Sequence, residues 1–172
     1  MAEADVEIFS LEPDGGIPNN SLPVLFYRDA LKAGDCFAEG CQTLFQRNGW
    51  EGTWVNGVFA YWHFHTEGHE VLGVVSGKAK IGLGGDNRIE VDLKAGDVVV
   101  LPAGTGHKRL SASSDFSIVG AYPPGQNGRV IRPESSDIEK AAAAIKHLPL
   151  PATDPVLGGD GALVPAWRDK TG

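Results

Sequence analysis

Several absences narrow this chain before any motif is read. Its 172 residues contain no apolar run of about 18 residues, the length a membrane-crossing helix needs, and no apolar stretch near the start of the kind that marks export. Neither membrane insertion nor secretion is therefore indicated, and the cytoplasm is the expected compartment. Basic residues are scarce: 15 Lys and Arg face 22 Asp and Glu, for a formal net charge of −7. The one dense basic pair is Lys108-Arg109, and no helix-turn-helix pattern accompanies it, so a nucleic-acid partner is excluded as the reading, since phosphate binding needs clustered cations. There are two cysteines, Cys36 and Cys41, five apart in a stretch with helical pattern. That spacing points their side chains in different directions, so they read as reduced apolar fillers and not as a disulfide. No internal repeat and no second core are visible, and the length fits one domain.

What is present is a series of short strands. Segments at 53–58, 59–65, 71–75, 78–83, 89–93, 97–101, 107–110 and 116–122 alternate with Gly, Asp, Asn, Ser and Pro turns, the punctuation of an all-β sandwich or barrel. Gly82, Gly84 and Gly85, followed by Asp86-Asn87, look like a phosphate-cradling loop, but no helix pattern and no Lys-Ser/Thr follows, so a hairpin turn is the better reading. Residues 1–22 read as an acidic, turn-rich arm without its own core, and residues 22–27 as an edge strand covering the rim of the main sheet. Phe37, Cys41, Leu44 and Phe45 form the stripe of an amphipathic helix from an Asp35 N-cap to Asn48, packed on the outside of the barrel. After the strands, Ser136-x-x-Glu139 reads as a capping box opening a second helix with Ile138, Ala142 and Ile145 on its apolar stripe. The residues from Pro149 onward are expected to drape over the domain. The expected organisation is an arm and helix over 1–50, a strand core over 51–122, and a helix and tail over 123–172.

The chemistry gathers in two of these segments, which hold four of the five histidines. In the first, Phe59, Tyr61, His63 and His65 alternate along a strand, so that both imidazoles enter whatever that face encloses. After a turn, Glu70 opens the next strand on one face with Leu72 and Val74, and a hairpin brings its carboxylate beside the imidazoles. In the second segment a buried strand runs into Pro102-Ala-Gly104 and presents His107. Three imidazoles and a carboxylate suit one divalent transition metal, Fe, Mn, Ni, Cu or Zn, and an octahedral ion held by four such ligands keeps about two open positions. His69 immediately precedes Glu70 and points away from it once the strand has begun, which makes it a surface or outer-partner group, or else a fifth ligand with acid-base capacity. Arg109 has the parity of His107 and either faces the same cavity, where it would hold a substrate carboxylate, or reaches out to water at the rim. Tyr61 and Phe59 either line the pocket or belong to the core. Trp62 and Phe64 face the opposite way, under the N-terminal helix or at a dimer interface, and Gln126 lies on a loop within reach of the pocket.

These two segments resemble the motifs of the cupin superfamily. The first cupin motif is a Gly, five residues, His-x-His, three or four residues, Glu, six residues and Gly, and Gly57, His63, His65, Glu70 and Gly77 satisfy it. The second, Gly, five residues, Pro-x-Gly, two residues and His, is met by Gly96, Pro102, Gly104 and His107, with Ser111 standing where an asparagine often follows. The chain is also similar to the small single-domain bacterial cupins of the YjlB type, at Pro18-Asn19-Asn20-x-x-Pro23, at 69–73, 101–110 and 120–126, and at Asp154-Pro155. The resemblance implies a double-stranded β-helix, the cupin jelly roll, with one flanking helix before the barrel and one after. It also implies metal ligation by His63, His65, Glu70 and His107, and it is compatible with a homodimer. The leading expectation is a metal-dependent enzyme of dioxygenase, isomerase or lyase type acting on a small anionic or oxygen-rich molecule. In that scheme Tyr61, His69 and Arg109 position the substrate or transfer protons. The alternatives are a non-catalytic small-ligand-binding protein with a sensing metal, and a structural metal that staples the sheets.

Overall fold

The computed structural model describes residues 5–32, 37–86 and 89–171, so the expected cap Asp35, Cys36 and Asn87 lie outside the described residues. Nine strands and three helices follow in the order β1 (Asp5–Phe9), β2 (Val24–Arg28), α1 (Ala38–Arg47), β3 (Glu51–Asn56), β4 (Glu70–Ser76), β5 (Lys78–Leu83), β6 (Ile89–Lys94), β7 (Val98–Leu101), β8 (His107–Ala112), β9 (Ser117–Tyr122), α2 (Ile138–Lys146) and α3 (Leu163–Thr171). All named strand pairs are antiparallel, in a six-stranded sheet ordered β1-β2-β7-β4-β9-β3 and a three-stranded sheet ordered β6-β5-β8. The glycine-rich stretch at 82–85 is a hairpin turn, with Leu83 paired to Ile89 across it. No helix among the described residues is long and apolar enough to cross a membrane.

Sequence pattern sets which face each sheet buries. On the inner face of the large sheet Leu72, Val74, Val99, Leu101 and Ile118 pack against Ala79, Ile81, Leu83, Val91 and Leu93 of the small sheet. The alternate residues Val71, Val98, Val100, Val119 and Ala121 form a second cluster with Cys41, Leu44 and Phe45 of α1 and with Leu163 and Trp167 of α3. Strands β4 and β7 are thus covered on both faces, which is why they read as nearly continuous apolar runs, Val-Leu-Gly-Val and Val-Val-Val-Leu.

Four local expectations are corrected. The arm carries an edge strand, β1, paired with β2 from Asp5↔Arg28 to Phe9↔Val24, so β2 lies one strand in from the edge. The cap of α2 is Asp137, whose carboxylate accepts from the Glu139 and Lys140 N–H groups, in place of the Ser136 capping box. The tail forms α3 as well as draping: Trp167 is buried and its indole N–H donates to Pro23 O at 2.9 Å. Trp62 and Phe64 do not pack under α1, because they cluster with Ile17, Ile131 and Ala141 of α2.

Gly73 shows how tightly α1 is seated. A Cβ there would sit 2.7 Å from Cys41 Sγ and 2.9 Å from Phe45 Cζ. In an open strand, Gly→Ala gains roughly 0.5–1 kcal/mol. Here overpacking outweighs that gain, and Gly73→Ala is expected to cost about 1–3 kcal/mol, read as a lower urea midpoint at unchanged slope. A midpoint equal to or above that of the parent would show that the helix can withdraw freely.

Candidate metal centre

Each candidate ligand is positioned by backbone pairing. Glu70 is the first residue of β4, opposite Leu101 of β7, and faces inward with Leu72 and Val74. His107 opens β8 opposite Leu83. The expected strand over 59–65 is not a regular one: the chain bends at Ala60-Tyr61 and Thr66-Glu67, and only two isolated bridges remain, His63↔His107 and Phe64↔Ile131. These suffice to fix the imidazoles. His63 and His107 exchange both backbone hydrogen bonds, at 3.2 and 2.9 Å, and Gly104 N–H donates to His65 O at 2.7 Å. A cross-strand pair of this kind projects both side chains to one face, and the ring centroids of His63 and His107 lie 4.0 Å apart.

The orientation of the rings decides the chemistry. His63 Nδ1 lies 3.0 Å from Tyr61 O, His65 Nδ1 lies 3.0 Å from Arg129 O, and His107 Nδ1 lies 2.9 Å from Thr105 O. A carbonyl only accepts, so each Nδ1 carries a proton and donates, which leaves Nε2 as the nitrogen that can take a metal or, at His65 and His107, a proton shared with Glu70. One ligand nitrogen from each of the three buried rings gathers within 4.8 Å of the others. Glu70 Oε1 lies 3.2 Å from His65 Nε2 and 3.6 Å from His107 Nε2. Three imidazoles with their outer nitrogens anchored, beside a buried carboxylate, have the chemistry and the outer hydrogen-bonding pattern that suit a transition metal.

Electrostatics agree with that arrangement. Burial opposes the ionised form of Glu70, but the charge on His65 and hydrogen bonds from His107 and His65 outweigh it and hold the carboxyl well below its ordinary range. Burial, reinforced by the neighbouring His107, lowers His63 to about 3, so that ring stays neutral. For His65 burial also works against the charged form, yet Glu70 and the Arg129 carbonyl more than compensate and raise its pKa.

These groups line a cavity of about 210 Å³ whose walls also include Trp54, Asn56, Val58, Phe59, Leu72, Ile118 and Val130. The three residues expected to assist them are placed elsewhere. His69 is buried on the outer side of the large sheet, where its Nδ1 accepts from Ala103 N–H at 2.9 Å and its ring lies 4.8 Å from that of Trp167. It therefore helps to hold the turn before His107 and does not line the cavity. Arg109 is exposed and borders a different groove, with Gly57 and Ala60; a register shift at Lys80/Ile81 marks the irregularity of that strand pair. Tyr61 is half-buried outside the cavity, stacked on Phe59 with ring centroids 4.9 Å apart and covered by the Arg132 guanidinium. Gln126 also stays out, receiving His69 N–H and donating to Pro149 O.

A cavity residue missing from the expected set is Tyr122. Its hydroxyl accepts from Trp54 Nε1–H at 2.7 Å, and burial together with the Glu70 charge and a hydrogen bond to that carboxylate raises its pKa. Gly128 packs directly over this hydroxyl, where any side chain would overlap it. The period-two series Ile118, Gly120, Tyr122 carried the signal, since Ile118 faces inward.

With the geometry in place, comparison with known proteins is direct. Residues 52–116 match the model of the cupin domain. The uncharacterized protein YjlB of Bacillus subtilis is 37% identical over 166 residues, covering 96% of this chain and 98% of that protein. The chain belongs to the cupin family. Solved structures similar to this cupin include an acireductone dioxygenase from Bacillus anthracis with a cadmium ion in its active centre, at 18% identity and a TM-score of 0.43 over 63% of this chain and 82% of that one. Another is a TDP-fucose-3,4-ketoisomerase from Campylobacter jejuni, at 10% identity and a TM-score of 0.39 over 54% and 72% of the two chains.

Proposed function

We propose that this cupin is a metal-dependent enzyme acting on a small oxygen-bearing molecule, with His63, His65, Glu70 and His107 as the metal ligands. The observation that carries this reading is the anchoring of all three Nδ1 atoms on backbone carbonyls, which turns the three Nε2 atoms toward one point beside Glu70. Histidines serving only as core filler have no need of a shared outer anchoring, and three buried imidazoles converging on one carboxylate form a polar cluster that a cation would satisfy. A divalent first-row ion, Fe, Mn, Ni, Cu or Zn, supplies Lewis-acid polarisation of an oxygen donor when bound.

The other tasks fall to this chain's own side chains. Tyr122 Oη accepts the indole proton of Trp54, so its own proton is turned toward the Glu70 side of the cavity, where it can donate to a substrate oxygen. Phe59 and Trp54 shield the polar end from water. The positioning and proton-handling roles expected of Tyr61, His69 and Arg109 pass to Tyr122 in this scheme.

The test is metal content of protein purified without a metal-chelating tag, measured by inductively coupled plasma mass spectrometry. About one equivalent of a first-row metal per chain, removed by chelator and restored on reconstitution, is the expected result. Protein that holds no metal and takes none up would rule the reading out.

A further inference from the structure

The walls of the cavity carry information about what enters it. Among the described residues no lysine or arginine lines it, and its one ionised side chain is Glu70. Three nearby cations stand outside the lining: Arg129 pairs with Glu67 at 3.2 Å in solvent, Arg132 pairs with Glu134 at 2.8 Å while lying over the Tyr61 ring, and Arg109 borders the separate groove beside Gly57 and Ala60. The buried polar groups of the lining are the three imidazoles, Glu70 and the Tyr122 hydroxyl, and beside them stands one exposed polar side chain, Asn56. Apart from Asn56 the rest of the wall is apolar, through Leu72, Ile118 and Val58 to Phe59 and Val130, which are 47% and 37% exposed. Large apolar side chains left in water around a concave opening mark a binding surface more often than isolated surface residues do.

From this we infer that the cavity takes a small ligand with a single oxygen-donor head, carrying no more than one negative charge, and an apolar body, and that it rejects dianions. The inference rests on the metal-centred reading of the polar end. A divalent ion together with Glu70 carries a formal charge of about +1, enough to balance one anionic head. A second carboxylate or a phosphate placed toward the mouth meets Val58, Phe59, Val130 and the neutral amide of Asn56, and no cation, so it loses water without gaining a countercharge. The volume of about 210 Å³ lies below the roughly 300–1,000 Å³ of drug-sized ligand pockets, which limits the body to a short aliphatic or single-ring group.

Two probes with the same head separate these cases. α-Ketoisocaproate and α-ketoglutarate share a keto-acid head and a similar length, and differ in ending in two methyl groups or a carboxylate. Their binding is measured by isothermal titration calorimetry on zinc-loaded protein, with metal-free protein beside it and zinc content measured separately. The expected result is at least about 10-fold tighter binding of α-ketoisocaproate, because its methyl groups meet apolar wall and the second carboxylate meets no partner. Val130→Lys, a change at an exposed position on the rim, is expected to narrow that ratio about 5-fold or more by supplying a cation. Equal or tighter binding of α-ketoglutarate, failure of both probes to bind at millimolar concentration, or an unchanged ratio in Val130→Lys would overturn the inference. A protein that takes no zinc yet still prefers α-ketoisocaproate upholds the cavity inference and defeats the metal reading. A protein that takes zinc but binds both probes alike does the reverse.

Discussion

Replacing any one of His63, His65 and His107 by alanine is expected to lower divalent-metal affinity by at least about 100-fold, more than the roughly 10–100-fold that follows loss of an outer hydrogen-bond partner. The three rings are equivalent in one respect, that each offers Nε2 because its Nδ1 is occupied by a carbonyl, so no single ring is dispensable. Competition titration against a chromogenic chelator reads the affinity, and circular dichroism confirms that each variant is folded. Affinity is also expected to fall as pH falls, since proton and metal compete for the same nitrogens. The sign can be assigned ring by ring. His65, whose pKa Glu70 raises, takes up its proton at a higher pH than an ordinary histidine and sets the onset of the loss. His63, lowered to about 3, contributes nothing to it over the neutral range. Variants that keep the parent's affinity would remove the centre from these residues.

The second large effect is expected far from the cavity, at Asp154. This residue has no solvent exposure, and its carboxylate accepts four hydrogen bonds. Oδ2 takes the Tyr27 hydroxyl at 2.5 Å and Leu163 N–H at 3.1 Å, and Oδ1 takes Val156 N–H at 2.8 Å and Leu157 N–H at 2.9 Å. It therefore ties β2 of the large sheet to the turn that leads into α3. Asp154→Ala leaves a buried phenol and three amides without their acceptor, each a cost of about 1–3 kcal/mol if no water reaches it. A total loss of at least about 3 kcal/mol is expected, measured by urea unfolding, with faster hydrogen exchange at Leu163 as the local signature. Asp154→Asn keeps the shape and one acceptor oxygen and is expected to cost less. A change under about 1 kcal/mol in the alanine variant would mean that α3 is held by Trp167 and Leu163 alone.

The contrast between these two sites explains what the sequence could reveal. The candidate ligands were legible because their spacing is tied to strand period and turn length: His63 and His65 two apart, Glu70 after one turn, His107 after Pro102-Ala-Gly. Strands β4 to β9 were legible for the same reason, their boundaries shifting by a residue or two. Arg109 keeps the parity of His107, since Ile81↔Arg109 and Leu83↔His107 stay in regular register, and its exposed side chain takes the second of the two readings its position allowed, outward to water. His69 was rightly turned away from Glu70, but burial under Trp167 could not be foreseen while α3 was read only as a draped tail. That helix was hidden by Pro165 within its first turn, a position a helix tolerates because the early N–H groups have no intrahelical acceptor. Tyr122 had no motif to advertise it, since its role depends on Trp54 across the β3–β9 pairing and on Gly128 in a later loop.

The carbonyls that orient the three imidazoles belong to the main chain at Tyr61, Thr105 and Arg129. No codon change at those positions removes a carbonyl, whatever side chain it writes. Mutational drift can therefore remodel what surrounds the opening, Phe59 and Val130 included, while the machinery that aims the nitrogens is inherited intact. On the metal-dependent reading proposed above, such a site can change what it admits without changing how it would hold its ion.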